Sequence, residues 1–201
     1  SVRGDIIRSI ENASRADRVY DSAFESLVQC GDGAFRIAVE YSRDDVFDQD
    51  IFIRPIEDAL SVVWDRYAVD PTGRDAKRCW VNDRISKKEF KAKWGEDEGP
   101  STLGDMNRLN TTGWADDHSY QISEYWRLIE RQRLMAMFPN GKVFDVTADT
   151  IEKLVEENGG PPVKTKVAWC SYAQMHLVTG FKILAGPYEY KLNRLPIIRM
   201  S

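Results

Sequence analysis

The sequence predicts an α+β fold: an N-terminal helix or helix pair, then a mostly antiparallel, strand-rich domain with two short helices. Three observations carry this prediction. From Arg3 to Cys30 the apolar residues Ile6, Ile10, Ala13, Ala16, Tyr20, Phe24 and Leu27 recur three or four apart, one stripe along a helix. After Gly31 the pattern changes to alternation, with Phe35, Ile37, Val39 and Tyr41 on one face of a strand. Turn formers such as Asn140-Gly141 and Thr179-Gly180 then punctuate further apolar runs.

The N-terminal stripe has a break near Ser14 to Asp17 that could split it in two, and Gly31 and Gly33 stop it. Ile51, Ile53 and Ile56, then Leu60, Val62, Val63 and Trp64, form two strand-like runs ahead of an Asp65–Gly73 loop. Cys79-Trp80-Val81 is a strand, and Ser86 caps a helix over Lys87–Trp94, with Glu89 at the capping-box spacing. Residues 95–119 hold few apolar side chains and no period, which predicts a long surface loop. Tyr120 to Phe138 reads as strand, tight connection, strand, with the continuation or turn at Ile129–Gln132. Tyr120, Ile122, Glu124, Trp126, Leu128 and Glu130 share one face. Asn140-Gly141 predicts a two-residue hairpin turn joining Leu134–Phe138 to Lys142–Val146. Thr147 is placed to cap a helix over Ala148–Glu157, with Ile151, Leu154 and Val155 inward, ended by Asn158-Gly159-Gly160. Val163–Val178 is again strand, Thr179-Gly180 turns it into Phe181–Leu184, and Pro187 and Pro196 break the remaining run toward Ser201. The division expected is a helical segment over 1–33 and a strand-rich domain over 34–201.

Composition bounds the function. A chain of 201 residues, 42% hydrophobic and 30% charged, can bury a core of its own. The formal charge of -4 gives no whole-chain reason to expect nucleic-acid binding. No apolar run approaches the ~20 residues that span a bilayer. The three cysteines, Cys30, Cys79 and Cys170, lie far apart and suit reduced thiols. The chain starts without Met inside a helical pattern and stops on the apolar run Leu195–Met200, so a piece of a longer protein is expected.

Motifs for chemistry fail on inspection. Gly31-Asp32-Gly33 lacks both the third glycine of a dinucleotide loop and the Gly-Lys-Ser/Thr of a P-loop, and it follows a helix. Asp44, Asp45, Asp48 and Asp50 crowd one loop without the Gly and Glu of an EF-hand; a solvated hairpin loop is the simpler reading, with a subunit boundary the other. Arg3-Gly4-Asp5 sits within a helix and cannot present an extended adhesion loop. The two histidines, His118 and His176, are remote from each other and from the cysteines, which supplies no zinc pattern. No nucleophile, base and orienter stand together in sequence, and no carboxylate pair is singled out. A non-enzyme with no cofactor is expected.

One charged stretch stands apart. Arg74 to Lys93 carries eight basic residues against three acidic, a local +5, interleaved with Trp80, Phe90 and Trp94. Within it Arg84, Lys87, Lys88 and Lys91 are the candidate contacts, to a neighbouring subunit's acidic loop or to a nucleic-acid backbone. The plainer alternative is a surface helix pinned by Phe90 and Trp94, four apart.

The order of these pieces resembles the portal proteins of short-tailed, double-stranded DNA bacteriophages. The similarity runs through Gly31-Asp32-Gly33-Ala34-Phe35-Arg36, then Pro55, Ser61, Val62, Trp64 and Asp65, Asp75-Ala76, Cys79-Trp80-Val81, and Ser86, Glu89, Phe90, Lys91 and Trp94. It continues in Ile122-Ser123-Glu124-Tyr125-Trp126, Trp169-Cys170, Thr179-Gly180, Ile183-Leu184, Pro187 and Leu195-Pro196-Ile197. It reaches from near Gly4 to Met200, weakest over 95–119. The resemblance implies the wing region of a ring, twelve-fold in that family, at the capsid vertex through which the genome is packaged and ejected. Implied partners are other portal subunits, terminase, capsid or scaffolding protein, tail adaptors and passing double-stranded DNA. Implied too are a virion location, assembly in the bacterial host cytoplasm, and no membrane. The competing expectation is a stand-alone nucleic-acid-binding module that uses residues 74–94.

Overall fold

In the computed structural model, residues 2–43, 45–95, 114–116, 118–147, 150–180 and 182–201 are described. Among these residues four α-helices and nine strands form an α+β body. They are α1 (Val2–Ser14), α2 (Ala16–Cys30), β1 (Gly33–Tyr41), β2 (Gln49–Pro55), β3 (Val62–Trp64), β4 (Arg78–Ser86), α3 (Lys87–Trp94), β5 (Ser119–Met137), β6 (Val143–Val146), α4 (Ile151–Glu157), β7 (Lys164–Val178), β8 (Ile183–Tyr190) and β9 (Ile197–Met200). A small sheet has the order β2-β1-β9; a larger one has the order β3-β4-β5-β7-β8, with β6 also on β5. Every pairing is antiparallel.

Strand parity stacks these parts. Ala34 of β1 packs with Ile197 of β9 against Cys79, Trp126 and Ala173 of the large sheet, the main core. The other face of β1 and β2 turns Phe35 and Ile53 toward Ala16, Val19 and Tyr20 of α2. The helix pair, small sheet and large sheet are therefore three successive layers. A separate cluster at the far end of β5 gathers Ala136, Phe138 and Val146 beneath Ile151, Leu154 and Val155 of α4.

The break expected in the first helix is present: Arg15 is left-handed at φ 51 between α1 and α2. It also corrects the single stripe. The bend aims Ser14, Ala16, Val19 and Ala23 inward and leaves Ile6 and Phe24 more than half exposed. Ser14 Oγ accepts the Ile53 N–H at 2.9 Å, so α1 covers the free edge of β2. Gly33 is required by contact: a Cβ there would stand 2.1 Å from the Ala23 carbonyl oxygen.

Further corrections concern β5 and its neighbours. Residues 119–137 form one strand of 19 residues without a connection. Ile129–Gln132 hold no Gly, Pro, Asn or Asp and pair in register with Tyr172–Trp169. The Asn140 turn is a three-residue loop rather than a two-residue one. Phe138 N–H donates to the Lys142 carbonyl and Gly141 N–H to the Phe138 carbonyl, both at 2.9 Å. Only Gly141 has positive φ, at 77, so Pro139 and Asn140 make an ordinary type I turn that Gly141 closes. Pro187 does not end its strand but lies inside β8, an edge strand whose pairing to β7 slips beside it. α4 begins at Ile151 with Thr150 at its N-cap position; Thr147 instead donates its N–H to the Thr150 hydroxyl at 2.9 Å. Ala148, and residues 96–113 of the expected surface loop, lie outside the described residues.

The capping box at Ser86 forms as the spacing requires: Ser86 Oγ accepts the Glu89 N–H at 3.2 Å and Glu89 reaches back to the Ser86 N–H at 3.4 Å. Phe90, 1% exposed, wedges between Trp94 and Tyr120 at ring separations of 5.0 and 4.9 Å. Two substitutions separate these anchors. Gly33→Ala, which must push α2 off β1, is expected to lower stability by about 1–3 kcal/mol. Ser86→Ala loses one cap and about 1 kcal/mol. Urea unfolding followed by tryptophan fluorescence measures both.

Candidate subunit and nucleic-acid interface

The basic stretch is divided by the strand within it. Arg74, Lys77 and Arg78 lie at the start of β4 and Arg84 to Lys93 at its end; at about 3.3 Å per residue the eight steps from Arg78 to Ser86 span ~26 Å. The four candidate residues stay together at the second end. Arg84, half exposed, forms an ion pair with Asp116 and donates to Ser119 Oγ at 3.2 Å. Lys87 holds its ammonium 5.4 Å from the centre of the Tyr120 ring. Lys88 and Lys91 are exposed on the outer side of α3. Arg84 and Lys87 thus serve the local fold, and Lys88 and Lys91 face solvent.

Asp116 is the hub of the turn beneath α3. One carboxylate oxygen accepts the N–H groups of His118 and Ser119 at 2.8 and 2.6 Å; the other accepts the Ser119 hydroxyl at 2.8 Å. These donors, the His118 N–H foremost and Arg84 behind them, hold its carboxyl at about 2. His118 thereby contributes its backbone, not its ring, to this site.

Sequence reasoning missed the ion pair between the sheets. Arg36 of β1 places Nη1 2.8 and 3.0 Å from the two carboxylate oxygens of Glu124 of β5, and Trp126 Nε1 donates to Glu124 Oε2 at 3.0 Å. The signal was the second face of β1, where Ala34, Arg36, Ala38 and Glu40 alternate with the apolar set. Beside this pair the sheets leave an open cleft of about 720 Å³, walled by Pro55, Ile56, Leu60 and Leu177 and rimmed by Glu57, Asp83 and Arg84. His176, on the opposite face of β7, approaches Gln174 Oε1 at 3.2 Å and no carboxylate. Among the described residues no three His, Cys, Asp or Glu side chains gather as a metal site, and no helix is long and apolar enough to cross a membrane.

The family described as phage P22-like portal protein matches residues 1–201, the whole chain, and the chain belongs to that family of bacteriophage structural proteins. No curated protein matched the chain.

Two outcomes test this electrostatic reading. The folded value of Asp116 lies below its ordinary 3.8, so its stabilisation is complete above about pH 4 and lost as pH falls toward 2. The stability difference between wild type and Asp116→Asn should therefore shrink across that window in acid-unfolding curves. Burial, with the Glu124 charge adding to it, pushes the Cys79 thiol up to about 12. A thiol-disulfide reagent should label exposed Cys30 in the folded chain and reach Cys79 only after urea is added.

Proposed function

We propose that this chain is the wing region of a portal ring, a mechanical part and not an enzyme. The observation that carries the reading is the family match along all 201 residues. In this role residues 1–33 are a helical layer laid against a strand-rich unit of residues 34–201. The ring sits at a capsid vertex of the virion, is assembled in the bacterial host cytoplasm, and conducts double-stranded DNA during packaging and ejection. Its partners are other portal subunits, then terminase, capsid or scaffolding protein and tail adaptors. No cofactor takes part, and the energy for DNA movement comes from the terminase.

Layering supports a role in assembly. The small sheet, packed on both faces, resists shear, and several large apolar side chains remain at the surface, among them Phe47, Trp169, Phe24 and Ile6. A second reading, binding of nucleic acid by α3, draws on Lys88 and Lys91, which stand exposed on one helix.

Light scattering coupled to size exclusion tests the first reading, applied to this chain and to a longer portal polypeptide that contains it. A closed ring from the longer chain is the expected result; monomers at every concentration overturn it. For the second, a fluorescent DNA duplex is titrated at two salt concentrations. Strong binding that falls steeply with salt and with Lys88→Glu/Lys91→Glu would favour the nucleic-acid module.

A further inference from the structure

Two exposed surfaces on different sheets carry opposite charge. The first is the tip of the β1–β2 hairpin. Ser42 N–H donates to the Asp48 carbonyl at 2.9 Å and closes the loop, in which Phe47 is 93% exposed. Asp48 and Asp50 follow it in the chain, both exposed, and neither side chain makes a hydrogen bond or ion pair among the described residues. A phenyl ring held in water ahead of two unpaired carboxylates has no role in the fold of its own chain.

The second surface is the distal half of the β5–β7 ribbon, on the face opposite α4. There Arg131, Lys164 and Lys166 share one side with the half-buried ring of Tyr172, and Val143 of β6 stands 54% exposed beside them. Arg131 is oriented by two bonds to Glu189, at 2.7 and 3.0 Å, and lies 5.7 Å from the Tyr172 ring centre. Lys164 and Lys166 have no carboxylate partner among the described residues. The surface is basic at its edge and apolar at its floor, the converse of the hairpin tip.

We propose that the hairpin tip of one subunit seats on this ribbon face of the next, with Phe47 on the floor and Asp48 and Asp50 toward Lys164 and Lys166. The two surfaces differ, so the contact is heterologous and repeats head to tail, closing where the rotation between subunits closes. Opposite charges at its rim set register and encounter rate, and the buried ring supplies the anchor. A nucleic-acid backbone is the weaker occupant of the same face: Glu189 and Asp145 already neutralise Arg131 and Arg133 there, and a phosphate gives Phe47 no partner. The proposal rests on the portal-ring reading and names the faces that meet in it.

Cys170, directly across the ladder from Arg131, is a built-in probe. In a Cys30→Ser background, Phe47→Cys is oxidised with copper phenanthroline, in this chain at high concentration and in the assembled longer polypeptide. The expected product is a disulfide between the introduced thiol and Cys170 of another subunit, mapped by mass spectrometry and abolished by Cys170→Ser. Asp48→Lys/Asp50→Lys should lower the cross-linking yield at least tenfold, and adding Lys164→Glu/Lys166→Glu should restore it. A ring seen by light scattering without the Cys170 cross-link overturns the docking and leaves the portal reading standing. A disulfide joining two introduced thiols instead, or a ribbon face whose charge reversal abolishes DNA binding but not assembly, also overturns it. If neither polypeptide associates, the ring reading fails first and the docking with it.

Discussion

Fifteen consecutive residue pairs join β5 to β7, and the rest of the molecule is arranged around the parity they impose. Even-numbered residues of β5 and odd-numbered residues of β7 point to one side. Near the start of β5 that side receives Trp126 and Ala173, on which β1 and β9 lie; near its end it receives Ala136, on which α4 lies. One ladder thus supports two hydrophobic clusters that share no side chain. Between them the same face carries Leu134, Val167 and Trp169 into solvent. The large sheet is a platform with its cargo at both ends, and its two faces differ in character along their whole length.

Charge does comparable work at the seams. Arg36 and Glu124, each about a quarter to a third exposed, lock the small sheet to the large one where water still screens them. A half-open pair of this kind contributes little net stability, but it fixes which residue of β1 opposes which residue of β5. Arg199 acts likewise at the chain's other end. Its guanidinium takes both oxygens of Asp32, at 2.8 and 3.1 Å, and lies over the Trp64 ring, tying β9 to the turn before β1 and to the end of β3.

Local signals in the sequence were legible where the structure is local. The helix break, the capping box, the inward face of α4 and the strand character of β1, β4 and β7 all derive from spacings of four residues or fewer. What could not be read depends on distant partners. Ile129–Gln132 looked like a turn because its apolar alternation is interrupted by Glu130, Arg131 and Gln132, yet hydrogen bonding to β7 carries the strand straight through. Phe24 looked like core because its spacing fits the stripe, but the bend at Arg15 rotates α2 so that Ala23 takes that place against Gly33. The Arg36–Glu124 pair spans 88 residues of sequence, and no period reports it. Among the candidate contacts, the cluster at α3 was visible as charge alone. That Arg84 is engaged by Asp116, while Lys88 faces solvent, is a property of the fold.

The length of the β5–β7 ladder bears on how the chain can go wrong. A slip by one residue that flips β5 would turn Arg127 toward the main core and Trp126 out of it, a mistake that desolvated charge forbids. A slip by two preserves both faces and so escapes that penalty. What opposes it is confined to particular rungs: Gln174 pairs with Arg127 and Glu189 at 2.7 and 2.8 Å, and the Pro139-Asn140-Gly141 loop sets where β6 meets β5. Hydrophobic burial therefore decides odd from even, and a few polar side chains choose among the even alternatives.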